Sequence, residues 1–282
     1  MFNCYYCGHN TEDDSGDIIE FTVEELNAYT DVFSERKFIG RGAFGPVYHG
    51  IIYGRNEKNV NGQYVAVKFS RDKAERARTQ WQAEVQYLPR VQHQNIIKLI
   101  GYCETQERFY LVYPFMQNGT LTTKLSGLDW RQTLKIIKGV AGAIQKLQDH
   151  VPPLIHRDLK LDNILLDKDF NPKLSDFGNV TSEGDHIESG TKAHDIFSFG
   201  VMVLQLIMKE KKSYGIGCNW NISDSARAYS ANSIELVHAK LTSTGCSRQA
   251  AKPIAELGLD CVNPKPSERP TISQVLNGLE NL

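Results

Sequence analysis

The sequence contains no apolar run long enough to cross a bilayer. The longest run, Val201–Met208, is interrupted by Gln205, whereas a membrane-spanning helix needs about 20 apolar residues. A charged and then apolar signal segment is also missing from the start of the chain. These absences predict a cytoplasmic protein without a transmembrane segment, in which the cysteines are reduced.

A surplus of basic charge is missing too. The 32 Lys and Arg residues are balanced by 33 Asp and Glu residues, which gives a net charge of −1. A general nucleic-acid-binding protein carries a basic surplus, so we expect no nucleic-acid partner. Hydrophobic residues make up 41% of the 282 residues and charged residues 23%, as in soluble folded domains. The length suits one large domain or two lobes around a cleft.

The six cysteines form only one close pair. Cys4 and Cys7 make a C-x-x-C with His9 nearby, and no second pair stands at a spacing that would complete a zinc site. Residue 2 is Phe, which excludes N-myristoylation. Two interpretations stay open. The pair could be S-acylated and attach the protein peripherally to the plasma membrane, or it belongs to a plain mobile tail.

The N-terminal part of the chain divides into a leader and a short helix. Residues 1–20 are acidic and rich in turn-forming residues, which predicts a flexible leader. In the segment 21–36, Thr22 is a good N-cap and Glu25 follows three residues later. This pattern is typical of a capping box and predicts a lead-in helix. The remainder, 37–282, is the predicted main domain.

A glycine-rich loop opens the main domain. Ile39–Val47 has the pattern G-x-G-x-x-G-x-V, with Gly40, Gly42 and Gly45 as its glycines. A dinucleotide-binding fold uses a similar string, but there a helix begins at the glycines. Here the residues that follow are β-branched and aromatic, which predicts a strand. A glycine turn between two strands allows the backbone to fold over nucleotide phosphates, because side chains do not intervene.

The next strand and helix supply a predicted ion pair. In the strand 64–69 the side chains alternate, so Ala66 and Lys68 point to the same side. Ala66 is small enough to leave room for a planar base, and Lys68 points into the same cleft. A lysine beside a phosphate tail needs a carboxylate to hold it. We prefer Glu84 in the following helix for this role, with Glu75 as the competing candidate.

Further elements lead from the sheet to a connector between two lobes. Propensity and periodicity predict helices at 75–88 and 129–148 and strands at 96–100 and 109–113. Pro114 breaks the last strand, and residues 115–119 are the predicted hinge between a small lobe, 37–114, and a large lobe, 120–282. At this hinge the Pro114 carbonyl can accept a hydrogen bond from an adenine amino group, while the Met116 N–H donates one.

The stretch His156–Asn163 carries the strongest chemical signal. For eight residues alone, an ordinary polar loop is the alternative, but Asp158, Lys160 and Asn163 can face one volume if the backbone is irregular. Phosphoryl transfer needs a carboxylate for the proton of the attacking hydroxyl, an ammonium for the moving charge and an oxygen for a divalent ion. Asp176, in an Asp-Phe-Gly sequence, is a second predicted Mg²⁺ ligand.

Taken in order, these motifs resemble those of eukaryotic protein kinases across residues 21–282. The chain has the glycine loop, Val-Ala-Val-Lys, a helix glutamate, His-Arg-Asp-Leu-Lys-Leu-Asp-Asn, Asp-Phe-Gly and an Asp-Ile-Phe-Ser-Phe-Gly at 195–200. Leu-Ile-Gly-Tyr-Cys at 99–103 and a tyrosine at the gatekeeper position, Tyr113, are similar to plant receptor-like and receptor-like cytoplasmic kinases. Lys160 resembles the serine/threonine class.

The resemblance implies an α+β fold of the two-lobed protein-kinase type, with a small antiparallel β-sheet lobe and a larger, mainly helical lobe. It implies ATP and Mg²⁺ as cofactors and a protein substrate or a receptor or signalling partner. The catalytic residues that it implies are Asp158, Lys160, Lys68 and Glu84. The implied Mg²⁺ ligands are Asn163 and Asp176. The implied nucleotide pocket is lined by Ile39, Gly40, Gly42, Gly45, Val47, Ala66, Lys68, Tyr113, Pro114, Met116 and Leu165.

The chain departs from this family between Asp176 and Asp195. Only 19 positions separate the two residues, about half the spacing usual in kinases, and the family's Ala-Pro-Glu motif is missing. The glutamate of that motif pairs with an arginine that is matched here by Arg269. Arg269 must therefore find another acid, water or an exposed position, because an unpaired buried charge is strongly unfavourable. Candidate phosphate carriers on the shortened loop are Thr181, Ser182, Ser189 and Thr191.

Three hypotheses follow from these observations. The intact catalytic motifs favour a serine/threonine kinase. The missing docking loop favours a pseudokinase, which binds ATP and serves as an interaction scaffold. The same deletion would also be found in a truncated product that folds poorly.

Overall fold

The computed structural model describes residues 18–53, 61–183, 191–210, 230–280 and 282. Most of the predicted leader, together with the predictions for Cys4, Cys7 and Ser189, lies outside these residues. Within the described ranges no helix is both long and apolar enough to span a bilayer.

The small lobe is built on one six-stranded sheet. Its strands are β1 (Ile19–Glu20), β2 (Phe38–Arg41), β3 (Pro46–Ile52), β4 (Gln63–Phe69), β5 (Gly101–Glu104) and β6 (Phe109–Pro114). Their order is β1-β5-β6-β4-β3-β2. All neighbours are antiparallel except β1 and β5, which pair in parallel. Residues 19 and 20, predicted as the end of a flexible leader, therefore form an edge strand instead.

The strand predicted at 96–100 is wrong, because β5 begins only at Gly101. The backbone of 96–100 divides its hydrogen bonds between two partners. The Ile97 N–H donates to the Leu174 carbonyl at 2.9 Å, and the Ile100 N–H donates to the Val112 carbonyl at 2.8 Å. Leu174 belongs to the large lobe, so this segment ties the lobes together. Its apolar, β-branched composition is the same as that of a strand, and composition alone does not distinguish the two.

Two helices pack on the small-lobe sheet. Helix α1 (Val23–Thr30) begins with the predicted capping box, in which Thr22 Oγ1 accepts from the Glu25 N–H and Glu25 Oε2 accepts from the Thr22 N–H. Helix α2 (Glu75–Tyr87) continues into a 3-10 turn, Leu88–Arg90. That turn contains Pro89, which lacks the N–H that a longer α-helix would need. Helix α2 thereby places its buried residues, including Glu84, against the sheet.

The large lobe is mainly helical. Its helices are α3 (Leu121–Lys124), α4 (Trp130–Gln148), α5 (Lys192–Met208), α6 (Ala239–Ser243), α7 (Arg248–Cys261) and α8 (Ile272–Glu280). Short antiparallel pairs join β8 (Ile164–Leu166) to β9 (Pro172–Leu174), and β7 (Leu154–Ile155) to β10 (Thr181–Ser182). The apolar side of α4 is fully buried and forms the centre of the main hydrophobic cluster. The predicted α+β, two-lobed architecture is confirmed.

Candidate active site

The ammonium of Lys68 lies between two carboxylates. Lys68 Nζ is 3.4 Å from Glu84 Oε1 on α2 and 3.3 Å from Asp176 Oδ1, just beyond β9. Strand β4 places Lys68 here because alternate residues face opposite sides, and Val65, Val67 and Phe69 fill the core on the other side. The competing candidate, Glu75, is exposed and lies beside Arg78. The structure thus brings together the preferred pair.

Burial and mutual attraction act in opposite directions on these three groups. Burial alone would lower the pKa of Lys68, but attraction to Glu84 and Asp176 outweighs it, and the pKa is raised. For Asp176, burial is likewise outweighed by Lys68, which holds the carboxyl pKa below its ordinary value. The pKa of Glu84 is raised, because burial is the largest effect on it and exceeds the attraction of Lys68. Both charges of the Lys68–Asp176 pair are therefore favoured.

Tyr113 supplies a contact that the sequence did not predict. Its hydroxyl donates to Glu84 Oε2 at 2.6 Å, and both side chains are buried. Tyr113 stands opposite Ala66 in the β4–β6 register, so it faces the same cleft as Lys68. Burial and the neighbouring Glu84 raise the pKa of Tyr113 well above its ordinary value, and the hydroxyl therefore remains a donor.

The catalytic-loop candidates converge as the motif predicts. Lys160 Nζ donates to both oxygens of the Asp158 carboxylate, at 2.8 and 2.7 Å. Asn163 Nδ2 donates to the Asp158 carbonyl at 2.8 Å and to Asp158 Oδ2 at 3.0 Å. The Asp158 side chain keeps 27% of its surface exposed, so solvent and a hydroxyl can still reach the carboxylate.

Asp195 holds this loop in an irregular conformation. Asp195 is fully buried in α5, and its two oxygens accept from the backbone N–H groups of His156, at 2.7 Å, and Arg157, at 2.9 Å. Arg157 has a φ of 67°, a left-handed conformation that is uncommon outside glycine. The ring of His156 packs edge-on against Phe177 and bonds the Ser175 carbonyl. His156 thereby links Asp195 to the segment around Asp176. The role of Asp195 was not predicted, although it begins a motif named above.

Two oxygen atoms remain for a metal ion at this site. Asn163 uses its amide nitrogen for Asp158 and its backbone carbonyl for Ser175, so its side-chain oxygen makes none of these bonds. Asp176 uses only Oδ1 for Lys68. Hard oxygen ligands of this kind suit Mg²⁺. Among the described residues no cluster of three or more His, Cys, Asp or Glu side chains could hold a metal.

The three motif glycines, Gly40 in β2 and Gly42 and Gly45 in the turn before β3, differ in their surroundings. A Cβ added at Gly40 or Gly42 would meet no atom within 4 Å, whereas one at Gly45 would lie 1.9 Å from the Phe69 carbonyl oxygen. Gly40 and Gly42 thus leave space beside the loop, while Gly45 is required for close packing of the loop on β4. Predicted roles in phosphate binding fit the first two glycines better than the third.

The remaining pocket candidates lie on the strands and the connector around this cleft. Val47 pairs with Lys68, and Ala66 with Tyr113, across adjacent strands. Leu165 in β8 forms an isolated bridge with Thr120, just after the connector. The other three candidates are not fully buried. Ile39 is 46% exposed, and Pro114 and Met116 are half-buried at the end of β6 and in the connector.

Arg269 contacts carbonyl oxygens and an aromatic ring in place of the expected carboxylate. Its Nε donates to the Asn263 carbonyl at 2.7 Å and its Nη1 to the Ala193 carbonyl at 2.8 Å. The guanidinium carbon lies 4.7 Å from the centre of the Phe197 ring. No acidic partner of Arg269 is found in the described part of the chain. The arginine therefore bonds directly to the first turn of α5.

The candidate phosphate carriers are not equally accessible. Ser182 is buried in β10, paired with Leu154. Thr181 is half-buried, and its hydroxyl has no hydrogen-bond partner among the residues that the structure describes. Thr191 is exposed at the N-terminus of α5, and its side chain makes no capping hydrogen bond. In this conformation Thr191 is the most accessible of the three that are described.

The comparisons with known proteins show the family to which the chain belongs. The family model for protein tyrosine and serine/threonine kinases matches residues 33–192, more than half of the chain. The chain therefore belongs to the protein kinase family. The match ends at residue 192, within the short segment between Asp176 and Asp195.

Its relatives place it with the serine/threonine kinases. It is 33% identical to a probable serine/threonine-protein kinase, PBL15, of Arabidopsis thaliana, over 94% of this chain and 70% of the relative. It is 34% identical to an EPD1-interacting receptor-like cytoplasmic serine/threonine-protein kinase of Nicotiana benthamiana, over 92% of this chain and 63% of the relative. The predicted similarity to plant receptor-like cytoplasmic kinases is confirmed.

This chain is shorter than these relatives. It spans about two thirds of the length of these two proteins. The alignment with the first relative runs over 297 positions, more than the 282 residues of this chain. That relative therefore has residues at positions where this chain has none.

Proposed function

We propose that the protein transfers the γ-phosphate of Mg·ATP to a serine or threonine hydroxyl of a protein substrate or signalling partner. The single observation that carries this proposal is the position of Lys68 between Glu84 and Asp176, close to its partners at 3.4 and 3.3 Å. A lysine fixed by a buried helix carboxylate can meet nucleotide phosphates without moving, as phosphoryl transfer requires.

Each residue of the catalytic loop has a definite task in this proposal. Asp158 accepts the proton of the attacking hydroxyl, since its carboxylate is partly exposed. Lys160, bonded to Asp158, keeps that carboxylate in place and offers positive charge beside it. Asp195 is a positioning residue, because it acts through the backbone of His156 and Arg157.

The cofactors fit the oxygen atoms that remain. Asn163 and Asp176 would hold Mg²⁺, which when bound neutralises charge on the phosphates. The nucleotide pocket in this proposal is formed by Ala66, Val47 and Leu165 around the base, with Pro114 and Met116 at the connector. Gly40, Gly42 and Ile39 would lie over the phosphates and the sugar.

Phosphotransfer should be measured with radiolabelled ATP and a mixed panel of protein substrates. We expect incorporation by the wild type and a loss of at least about a hundredfold in Asp158→Asn, because a general base contributes about 10²- to 10⁴-fold. Asn is nearly isosteric, so both proteins should melt alike. Equal background incorporation in both would refute the kinase proposal.

Nucleotide binding needs its own measurement. We expect Mg·ATP to raise the melting temperature of the wild type but not that of Lys68→Met, because binding only to the folded state stabilises it. Lys252→Met, at an exposed lysine on α7, is the matched control and should respond like the wild type. If ATP produces no shift in the wild type, the pocket is not a nucleotide site.

A second candidate function is an ATP-binding pseudokinase scaffold. The observation in its favour is the missing Ala-Pro-Glu motif, together with Arg269 bonded to backbone carbonyls in place of a carboxylate. In this case Mg·ATP would still shift the melting temperature, whereas phosphotransfer would equal that of Asp158→Asn. A broad, non-cooperative melt would instead indicate a truncated product that folds poorly.

We further propose that the protein works in the cytoplasm, with peripheral attachment to the plasma membrane through Cys4 and Cys7. The cysteine pair in an aromatic N-terminal stretch supports S-acylation. Replacing both residues by Ser should move the protein from the membrane fraction to the soluble fraction. An unchanged distribution would refute the anchor.

A further inference from the structure

A cavity of about 380 Å³ lies beside the connection between α2 and β5. None of the candidate active-site residues lines it. Its lining includes Leu88, Val91, His93, Ile97 and Lys98, and also Ile18, the first described residue. The cavity is therefore the place at which the chain enters the described structure.

The edge of this cavity is basic. We define the basic rim as His93, Lys98, Lys146 and Lys173. Lys146 and Lys173 lie close to His93: after burial, the largest effect, they are the charges that lower the pKa of its ring. Lys173 donates to the Gln94 carbonyl at 2.6 Å, which fixes it beside the cavity.

The positive charge of the basic rim is largely unneutralised. Lys173 lies 4.0 Å from Asp167, but Lys98 and Lys146 form no ion pair within the described part of the chain. Helix α4, which carries Lys146, has four basic residues and no acidic residue between Trp130 and Gln148. Such a surface attracts an acidic partner.

The chain contains an acidic segment at the right place. Residues 1–17 contain no Lys or Arg, and Glu12, Asp13, Asp14 and Asp17 fall within their last six positions. The segment is covalently joined to Ile18 in the cavity lining. Six residues can span up to about 20 Å from Ile18. A short tether also gives an effective concentration in the millimolar range.

We propose that the acidic stretch 11–17 docks on the basic rim of its own chain. The alternative occupant of a basic face is an anionic lipid surface. The chain's own acidic stretch is favoured because its covalent link to Ile18 holds it beside the basic rim at a high effective concentration.

Docking would brace both elements that hold Lys68. Leu88, in the cavity wall, follows Glu84 by one helical turn. Ile97, also in the wall, donates its N–H to the Leu174 carbonyl, two residues before Asp176. The docked stretch therefore restrains α2 and β9 together.

Hydrogen exchange on the full chain tests this proposal without relying on phosphotransfer. The acidic stretch is neutralised by Glu12→Gln, Asp13→Asn, Asp14→Asn and Asp17→Asn. We expect amide protection in 88–99 to fall about three- to tenfold, as for the loss of a few exposed ion pairs. In 1 M NaCl the wild type should lose the same protection. The Debye length at this ionic strength is only about 3 Å, so the attraction between exposed charges is screened.

A double-mutant cycle identifies the partner. In a Lys98→Gln/Lys146→Gln background, neutralising the acidic stretch should have no further effect. Lys252→Gln/Lys265→Gln, at two exposed lysines on and after α7, is the matched control and should leave the effect intact. Unchanged protection on neutralisation, or an equal effect in both backgrounds, would overturn the proposal. So would unchanged protection combined with binding to phosphatidylserine vesicles that Lys98→Gln/Lys146→Gln abolishes.

Discussion

Replacing Tyr113 by Phe tests how the buried carboxylate of Glu84 is held. The substitution removes only a hydroxyl that donates to Glu84 Oε2 at 2.6 Å. Glu84 is 1% exposed, so water cannot take the place of this donor. A hydrogen bond to a charged group contributes about 1.5–3 kcal/mol and a neutral one about 0.5–1.5 kcal/mol. We therefore expect Tyr113→Phe to reduce the free energy of unfolding by about 1.5–3 kcal/mol near pH 8.

The same substitution should have a smaller effect in acid. The pKa of Glu84 is raised in the folded protein, chiefly by burial, and the hydroxyl of Tyr113 is among the groups that lower it. Ionisation of Glu84 therefore lowers the free energy of unfolding as the pH rises from the unfolded pKa of 4.5 through the folded pKa. Without the Tyr113 hydroxyl this cost increases. The difference between the two proteins becomes smaller as the pH falls below the folded pKa, because Glu84 is then protonated in both folded proteins and the hydroxyl bonds a neutral group. We expect a loss of only about 1 kcal/mol near pH 5.

Urea unfolding at pH 5 and pH 8 measures both values. Tyr64→Phe, at a 58% exposed tyrosine on the same β4 strand that carries Lys68, is the control and should change the stability by less than about 0.5 kcal/mol at either pH. A loss from Tyr113→Phe that is equal at the two pH values, or larger at pH 5, would refute this account of Glu84.

Three other substitutions have effects that the contacts predict, each measured as a change in the urea midpoint. Gly45→Ala would place a Cβ 1.9 Å from the Phe69 carbonyl oxygen and should cost about 1–3 kcal/mol, whereas Gly42→Ala, with open space, should cost less than about 1; equal costs would contradict the packing role. Asp195→Asn puts an amide donor against a backbone N–H and should cost about 3 kcal/mol and abolish phosphotransfer; retained activity would show that the anchor is dispensable. Arg269→Ala removes two hydrogen bonds and should cost about 1–3 kcal/mol; an unchanged midpoint would mean that these bonds are not formed in solution.

Local patterns predicted the parts of the site that lie within one element. Alternation along β4 placed Ala66 and Lys68 on one side because a strand has a period of two. The capping box at Thr22 was visible because its two residues are three positions apart. The loop at Asp158 was visible for the same reason, since its three side chains fall within six positions. Contacts within one element can therefore be predicted from residue spacing.

Contacts between distant elements could not be predicted in the same way. Tyr113 and Glu84 are 29 positions apart, and Asp195 and His156 are 39 apart. Their meeting depends on how α2 and α5 pack, which no spacing rule states. The misplaced strand at 96–100 has a related cause, because Ile97 bonds to Leu174 across the lobe boundary. Buried apolar backbone has the same composition whether it pairs within a sheet or between lobes.

Nucleotide binding and phosphotransfer to other proteins occur together in most kinases. In this chain the shortened segment before α5 can separate these two properties. The first turn of α5 is held from two sides: Asp195 bonds the catalytic loop, and the Ala193 carbonyl accepts from Arg269. The ring of Phe197 covers the same guanidinium. Because these bonds use carbonyls and a ring that α5 supplies itself, the start of the helix does not depend on the missing motif. The geometry around Lys68 and Asp158 can therefore persist although the Ala-Pro-Glu motif is missing from the sequence, so nucleotide binding and phosphotransfer to other proteins must be measured separately.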